Sequence, residues 1–265
     1  MNAFIKLSSP ATREFWEIPV LGEDEHLLAL DKPARLLTSP DRYDPERPNL
    51  MRLLHRDIGR GASWAKERGL TYLANAHRLD FETSGVILLA KNKSALIALA
   101  NQFGAEKPEK IYAALIHGSP NEPSFEITAR LGPHPVQTGL MRVDQKQGKK
   151  AATRFETLER FSGFTLVQCR PLTGRTHQIR VHLRHAGFPI VGDALYGGQP
   201  LLLSKLKTEY RLRQGKTERP LIGRVALHAE QLTVAHPVSN APVVIKAPWP
   251  KDLTVAVKYL RRYAV

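Results

Sequence analysis

Two adjoining stretches constrain this chain more than any other feature: Ala76-His77-Arg78-Leu79-Asp80-Phe81-Glu82-Thr83-Ser84-Gly85 and the run behind it, Val86-Ile87-Leu88-Leu89-Ala90. A short apolar run bounded by turn residues and rich in branched side chains reads as a buried strand. The polar residues before it form a turn that ends at Gly85. Asp80 therefore sits on a loop clamped by a core strand, a place where catalytic groups concentrate. On local chemistry alone Asp80 fits two roles, a turn-closing acid paired with an Arg or a working carboxylate.

The chain has 265 residues, enough for a sizeable core in one large domain or two small ones, and 42% of them are hydrophobic. Its net charge of +14 points to a polyanionic partner, nucleic acid before any other. No strongly amphipathic basic helix with an aromatic apolar face marks it for a membrane surface. Cys169 is the single cysteine, which excludes an intrachain disulfide and a cysteine metal cluster. It lies in a strand-like run and reads as a buried, inert thiol. No run approaches the length of a membrane span, and Met1–Pro10 has no secretory pattern. A cytoplasmic protein follows as the expectation.

Along the chain, residues 1 to 16 read as a loosely held lead-in. Ile18–Leu21 and His26–Leu30 read as short strands around Glu23-Asp24-Glu25. Asn49 to Ile58 reads as a helix, and Asn92 caps a second one with the stripe Leu96, Leu99, Ala100, Phe103. Lys110 to Ile116 is the next strand, and Ala151–Leu158 with Phe164–Arg170 form a hairpin. Thr176 to Ala186 reads as a helix capped by Thr176, with His177, Arg180 and Arg184 giving it a cationic face. In Leu206 to Arg213 apolar and charged residues alternate, so residues 201 to 224 are expected to form a basic hairpin insertion that touches RNA backbone. Strands at Val225–Val234 and Val243–Lys246 and a helix over Lys251–Tyr263 close the chain. No repeat or linker is visible, so a single domain spanning 1–265 is the simplest organisation.

The motifs resemble, in order, those of the RluA family of RNA pseudouridine synthases. His77-Arg78-Leu79-Asp80 with Thr83-Ser84-Gly85 is similar to that family's signature. Lys110-Ile111-Tyr112 is similar to its tyrosine motif, and Leu172-Thr173-Gly174-Arg175-Thr176-His177-Gln178-Ile179-Arg180-Val181-His182 to its third motif. Gly187 to Asp193 and Leu227-His228-Ala229 follow in the family's order. The likeness runs from about Val20 to Pro248. One departure stands out: relatives usually carry Gly two residues after the Pro of Lys32-Pro33, where this chain has Arg35, and Gly tolerates a positive φ that Arg does not.

The resemblance implies an α+β pseudouridine synthase fold, a long mixed and mostly antiparallel sheet flanked by helices with a central basic cleft. It implies an isomerase that breaks the N1–C1′ bond of a uridine, turns the base and joins C5 to C1′, with no cofactor and no metal. Asp80 is then the catalytic nucleophile or base, by attack at C1′, attack at C6, or removal of the C2′ proton. Arg180 keeps that carboxylate ionised and oriented. Tyr112 packs on the target base and helps move the C5 proton. Arg78 lies beside the extruded nucleotide, whose flipping costs a few kcal/mol that protein contacts must offset. Arg175, Lys149, Lys150 and Arg154 are candidates for phosphate contacts. The implied partner is a stem-loop of ribosomal or transfer RNA, bound by a monomer without the extra N-terminal RNA-binding domain of many relatives.

Three other readings compete. A non-catalytic RNA-binding module or chaperone on the same fold fits the charge, but Asp80, Tyr112 and Arg180 are all in place. A metal-dependent hydrolase would use His177, His182, His185 and Asp193, yet His177 and His182 are five apart, which is poor for one helical face, and there is no His-Glu-x-x-His pattern. A glycosidase needs two carboxylates flanking the bond, and the side chains of Asp80 and Glu82, two apart in sequence, need not converge.

Overall fold

The computed structural model describes residues 3 to 264, except 42, 43, 45, 208, 213 and 214. The chain falls into two compact units, Met1–Lys110 with Ala229–Pro248, and Ile111–His228 with Trp249–Val265. It crosses between them three times.

The first unit opens with β1 (Phe4–Ser9), β2 (Glu14–Glu23) and β3 (Leu27–Lys32). Then come α1 (Leu50–Gly59), α2 (Ser63–Lys66), β4 (Ala74–Asn75), β5 (Ser84–Ala90) and α3 (Lys93–Gly104). The sheet order is β1-β2-β3-β5, and these neighbours pair antiparallel; β4 adds a short antiparallel pairing to β5. Residues 27 to 30 of β3 and 86 to 90 of β5 are continuously apolar because both faces are covered. Leu28, Leu30, Ile87 and Leu89 pack with Ile5, Leu7 and the Leu residues of α1 on one side. Leu27, Ala29, Val86 and Leu88 pack with Ala95 and Leu99 of α3 on the other. A strand covered on both faces has no reason to alternate.

Both long helices of this unit begin where their asparagines predict. The Asn49 side chain accepts from the Arg52 N–H, and Asn92 accepts from the Ala95 N–H at 2.9 Å. The lead-in expectation fails for the described residues from 4 on. β1 is a regular strand on β2, with Ile5, Leu7 and Ser9 buried at every second position. That alternation was present in the sequence, and a half-buried edge strand is what it specifies.

The second unit contains β6 (Glu109–His117), β7 (Ser124–Pro133), β8 (Met141–Val143), β9 (Lys149–Phe161) and β10 (Phe164–Pro171). They are ordered β6-β10-β9-β7-β8, each adjacent pair antiparallel. α4 (Gln178–His185), a 3-10 turn at Ala194–Tyr196 and α5 (Leu203–Leu206) follow. The chain then runs through β11 (Leu227–Ala235) and β12 (Pro242–Lys246), and ends in α6 (Lys251–Tyr263). Ile179 and Leu183 of α4 join Leu253, Ala256, Val257 and Leu260 of α6 in one core with β6 and β10. Cys169 is part of it, its thiol pushed well above the usual range by burial.

Two expectations need correction here. Thr176 does not cap α4: His177 occupies the cap position, in the left-handed region at φ 54°, and no side chain caps the helix. Leu206 and the described residues from 207 to 212 do not form a strand of a hairpin. α5 takes Leu203–Leu206, and no strand occurs among the described residues from 207 to 224. The alternation there has no partner strand to bury it, and period two without a partner does not make a sheet. Among the described residues no helix is long and apolar enough to cross a membrane.

Candidate active site

In the first unit the turn that carries Asp80 is fixed on both sides of that residue. The Thr38 hydroxyl donates to the Leu79 carbonyl at 3.1 Å and accepts from the Leu79 N–H at 3.2 Å. The Phe81 carbonyl accepts from the Arg35 N–H at 2.7 Å, and the Thr83 N–H reaches the Asp80 carbonyl at 3.1 Å. Arg35 stands in the left-handed region at φ 63°, a conformation that a Gly would adopt without strain. Its side chain lies 3.8 Å from Glu82. Buried Lys32 steadies the same loop by donating to the carbonyls of Pro33 and Leu36, both at 2.8 Å. Asp80 itself is half-buried and Arg78 is exposed.

His77 is part of the scaffold. Its Nε2 accepts from the Leu88 N–H at 2.9 Å, and its ring stacks on Phe103 at 4.7 Å and 13°. β4 pairs with β5 only at Leu89 and Ala90. The imidazole thus acts as an acceptor just past the end of that short pairing. A ring that accepts through Nε2 is neutral there, and desolvation, then Lys110, lowers its pKa to about 3. At the other end of the turn Gly85 has φ 114°, and a Cβ would collide with the backbone of Ala229. Only Gly fits a strand start approached so closely.

In the second unit Tyr112 lies opposite Cys169 in the β6–β10 register, half-buried against the core. Arg180 is 3% exposed and forms a bidentate pair with fully buried Asp193, Nε to Oδ2 at 2.7 Å and Nη2 to Oδ1 at 2.8 Å. Its guanidinium also lies 4.9 Å from the centre of the Tyr196 ring. The Tyr196 hydroxyl accepts from the Met141 N–H at 3.0 Å and sits 2.8 Å from His177 Nδ1. The cationic face expected of α4 is therefore not a surface: Arg180 turns inward, and of its charged residues Arg184 is exposed.

Buried Gln178 ties the preceding turn to β9. Its Nε2 donates to the Ala152 carbonyl and to Thr153 Oγ1, both at 2.9 Å, and its Oε1 accepts from Thr173 Oγ1 at 2.6 Å and the Arg175 N–H at 3.0 Å. Arg175 reaches the Lys150 carbonyl at 3.1 Å, so those two phosphate candidates are brought together. Lys149 and Lys150 are exposed, whereas Arg154 pairs with Glu126 at 2.9 Å across β7 and β9.

The hydrolase idea finds its residues otherwise engaged. Asp193 is on Arg180, His177 on Tyr196, and His182 Nδ1 lies 3.0 Å from Thr153 Oγ1. Burial, then His185, lowers the His182 pKa to about 4. Among the described residues no group of three His, Cys, Asp or Glu could hold a metal ion. Sequence reasoning missed Asp193 as the partner of Arg180, and it missed Thr38, Gln178 and Tyr196 as supports. Asp193 did stand inside a recognised motif; Thr38 gave no signal.

A family model described as RNA pseudouridylate synthase matches residues 26–185. This chain belongs to that family. It is an RNA pseudouridine synthase, an isomerase. The "Ribosomal large subunit pseudouridine synthase D" of Xylella fastidiosa is 38% identical over 244 residues, 92% of this chain and 70% of that protein. The "Ribosomal large subunit pseudouridine synthase C" of Escherichia coli is 34% identical over 251 residues, 91% of this chain and 70% of that protein. Human RNA pseudouridylate synthase domain containing 4 has a similar fold, at a TM-score of 0.70 and 24% identity over 91% of this chain and 92% of that one. The α+β pseudouridine synthase fold expected from the motifs is the one observed.

Proposed function

We propose that this synthase isomerises a uridine of large-subunit ribosomal RNA, with Asp80 as its catalytic carboxylate. The substrate follows the relatives at 34 to 38% identity named for ribosomal large-subunit pseudouridine synthesis. The residue assignment rests above all on one observation, the fixing of Leu79 and Phe81 by Thr38 and Arg35 on either side of Asp80. A group that attacks a sugar or ring carbon, or takes the C2′ proton, must be aimed to within a fraction of an ångström. Each of these routes needs the carboxylate ionised. Arg180 supplies the cation for that, itself locked in direction by Asp193. Tyr112 offers a ring to pack on the freed base and a hydroxyl to move the C5 proton.

Arg78 holds the flipped nucleotide out of its stack, and Arg175, Lys149, Lys150 and Arg154 contact phosphates. The protein works as a cytoplasmic monomer within a single catalytic domain. Pseudouridine mapping of total RNA tests the proposal in cells lacking this gene, complemented with wild type or Asp80→Asn. A ribosomal site that disappears and returns only with wild type is the expected result. On the pure enzyme Asp80→Asn should lower kcat by at least about 10²–10⁴-fold. Product from Asp80→Asn at the wild-type rate would remove Asp80 from the chemistry, and a lost site in transfer RNA would replace the substrate.

A further inference from the structure

Positive charge is unevenly placed in this chain. Residues 201 to 224 contain seven Lys and Arg against two Glu, and α6 contains four against one Asp. These two short segments hold eight of the fourteen net charges. Two of their cations serve the fold. Arg224 chelates Asp252 at 2.8 and 3.0 Å, and Arg261 pairs with Glu159 at 2.8 Å. Lys205, Arg211, Lys216, Arg219, Lys258 and Arg262 are exposed.

α5 and α6 are in contact, and aromatic rings lie among the cations there. Tyr259 and Tyr263 stack at 6.0 Å and 25°. Lys207 Nζ lies 5.9 Å from the centre of the Tyr263 ring, and the Arg262 guanidinium lies 5.2 Å from it. Cations laid beside partly exposed rings suit a ligand that carries both phosphates and flat bases. They do not suit a bilayer, because the apolar residues of α6, Leu253, Ala256, Val257 and Leu260, are buried in the core.

We propose that the α5–α6 face is a second RNA-contacting surface, which grips the backbone of the ribosomal RNA and stacks one of its bases other than the target uridine. This rests on the reading of the chain as a ribosomal RNA synthase. The face raises affinity for a large structured RNA and takes no part in the bond-making steps.

The test uses the full chain and an unmodified transcript of large-subunit ribosomal RNA. Binding is measured directly by filter retention over a range of KCl, and pseudouridine is counted separately in the same samples. Lys205→Glu/Lys207→Glu/Arg262→Glu is compared with the milder Lys205→Gln/Lys207→Gln/Arg262→Gln, each checked for a wild-type melting temperature. We expect binding about tenfold weaker or more, with the slope of log K against log salt shallower by about two units, since each phosphate contact contributes about 0.7–0.9. KM should rise while kcat at saturating RNA stays at the wild-type value. Wild-type affinity and slope in both variants would overturn the proposal, whatever the activity does. Weakened binding by the variants of a protein that forms no pseudouridine would uphold this surface and refute the functional reading instead.

Discussion

Leu79 and Phe81, the neighbours of Asp80, are held by uncharged hydrogen bonds from a hydroxyl and a backbone N–H, whereas Arg180 is held by a buried carboxylate. The two regions thus use different physics: in one the backbone on either side of a carboxylate is held, in the other the side chain itself. Neutral bonds are each worth about 0.5–1.5 kcal/mol net and can be removed one at a time. A buried ion pair is all or nothing, because removing one partner leaves the other charge stranded in a low dielectric. The turn around Asp80 should therefore degrade gradually, and the seat of Arg180 abruptly.

The largest expected effect breaks the pair. Asp193→Ala should cost about 3–5 kcal/mol of stability, read as a shift in the denaturant midpoint, because Arg180 is left buried and uncompensated. A cost below about 1 kcal/mol would mean that Arg180 swings to solvent, and the contrast between the two regions would collapse. Next comes His77→Leu, which leaves the Leu88 N–H without its acceptor and should cost about 1–3 kcal/mol.

This variant also sharpens the pH response. The His77 ring has a pKa of about 3 in the fold against 6.5 ordinarily, so between those values the unfolded chain binds the extra proton. The stability His77 contributes is complete above pH 6.5 and is lost as pH falls through that window. His182, at about 4, acts with the same sign. Melting curves from pH 7 to 5 should therefore decline less steeply for His77→Leu than for wild type; parallel curves would place the acid sensitivity elsewhere. The smallest effect is at Arg35. At φ 63° Gly should be more stable than Ala by about 1 kcal/mol. Arg35→Gly keeps the N–H that reaches Phe81, so it should retain activity, and Ala more stable than Gly would contradict the strain.

Much of this architecture could be read from local signals. Asn49 and Asn92 announce their helices, Gly85 and the run after it announce β5, and Phe161-Ser162-Gly163 announces the β9–β10 hairpin. What could not be read are contacts made at long range. Thr38 meets Leu79 from 41 residues away, and nothing about an isolated Thr reports it. Arg180 was singled out from the sequence by its motif and its partner Asp193 was not, because a turn of chain decides which acid faces it. The error at Leu206–Leu212 has a different origin: alternation says how a strand is buried only where something exists to bury it. Arg35 is the converse case. The motif flagged the position as one that wants Gly, and the backbone there is indeed left-handed, held by its own N–H and by Glu82.

The three crossings between the compact units set an order on synthesis. The first unit begins at Met1 but is finished by Ala229–Pro248. While the chain is being made, Gly85 must wait for the backbone of Ala229, and β5 must wait for the cover that Leu232, Val234 and Ile245 lend to Val86 and Leu88. The nascent first hundred residues thus hold β1, α1 and α3 against β5 but lack the last part of the cover on Val86 and Leu88, so this face closes late. A truncation before Ala229 removes the backbone against which Gly85 packs and the cover on β5, although the Asp80 turn lies far upstream of the cut.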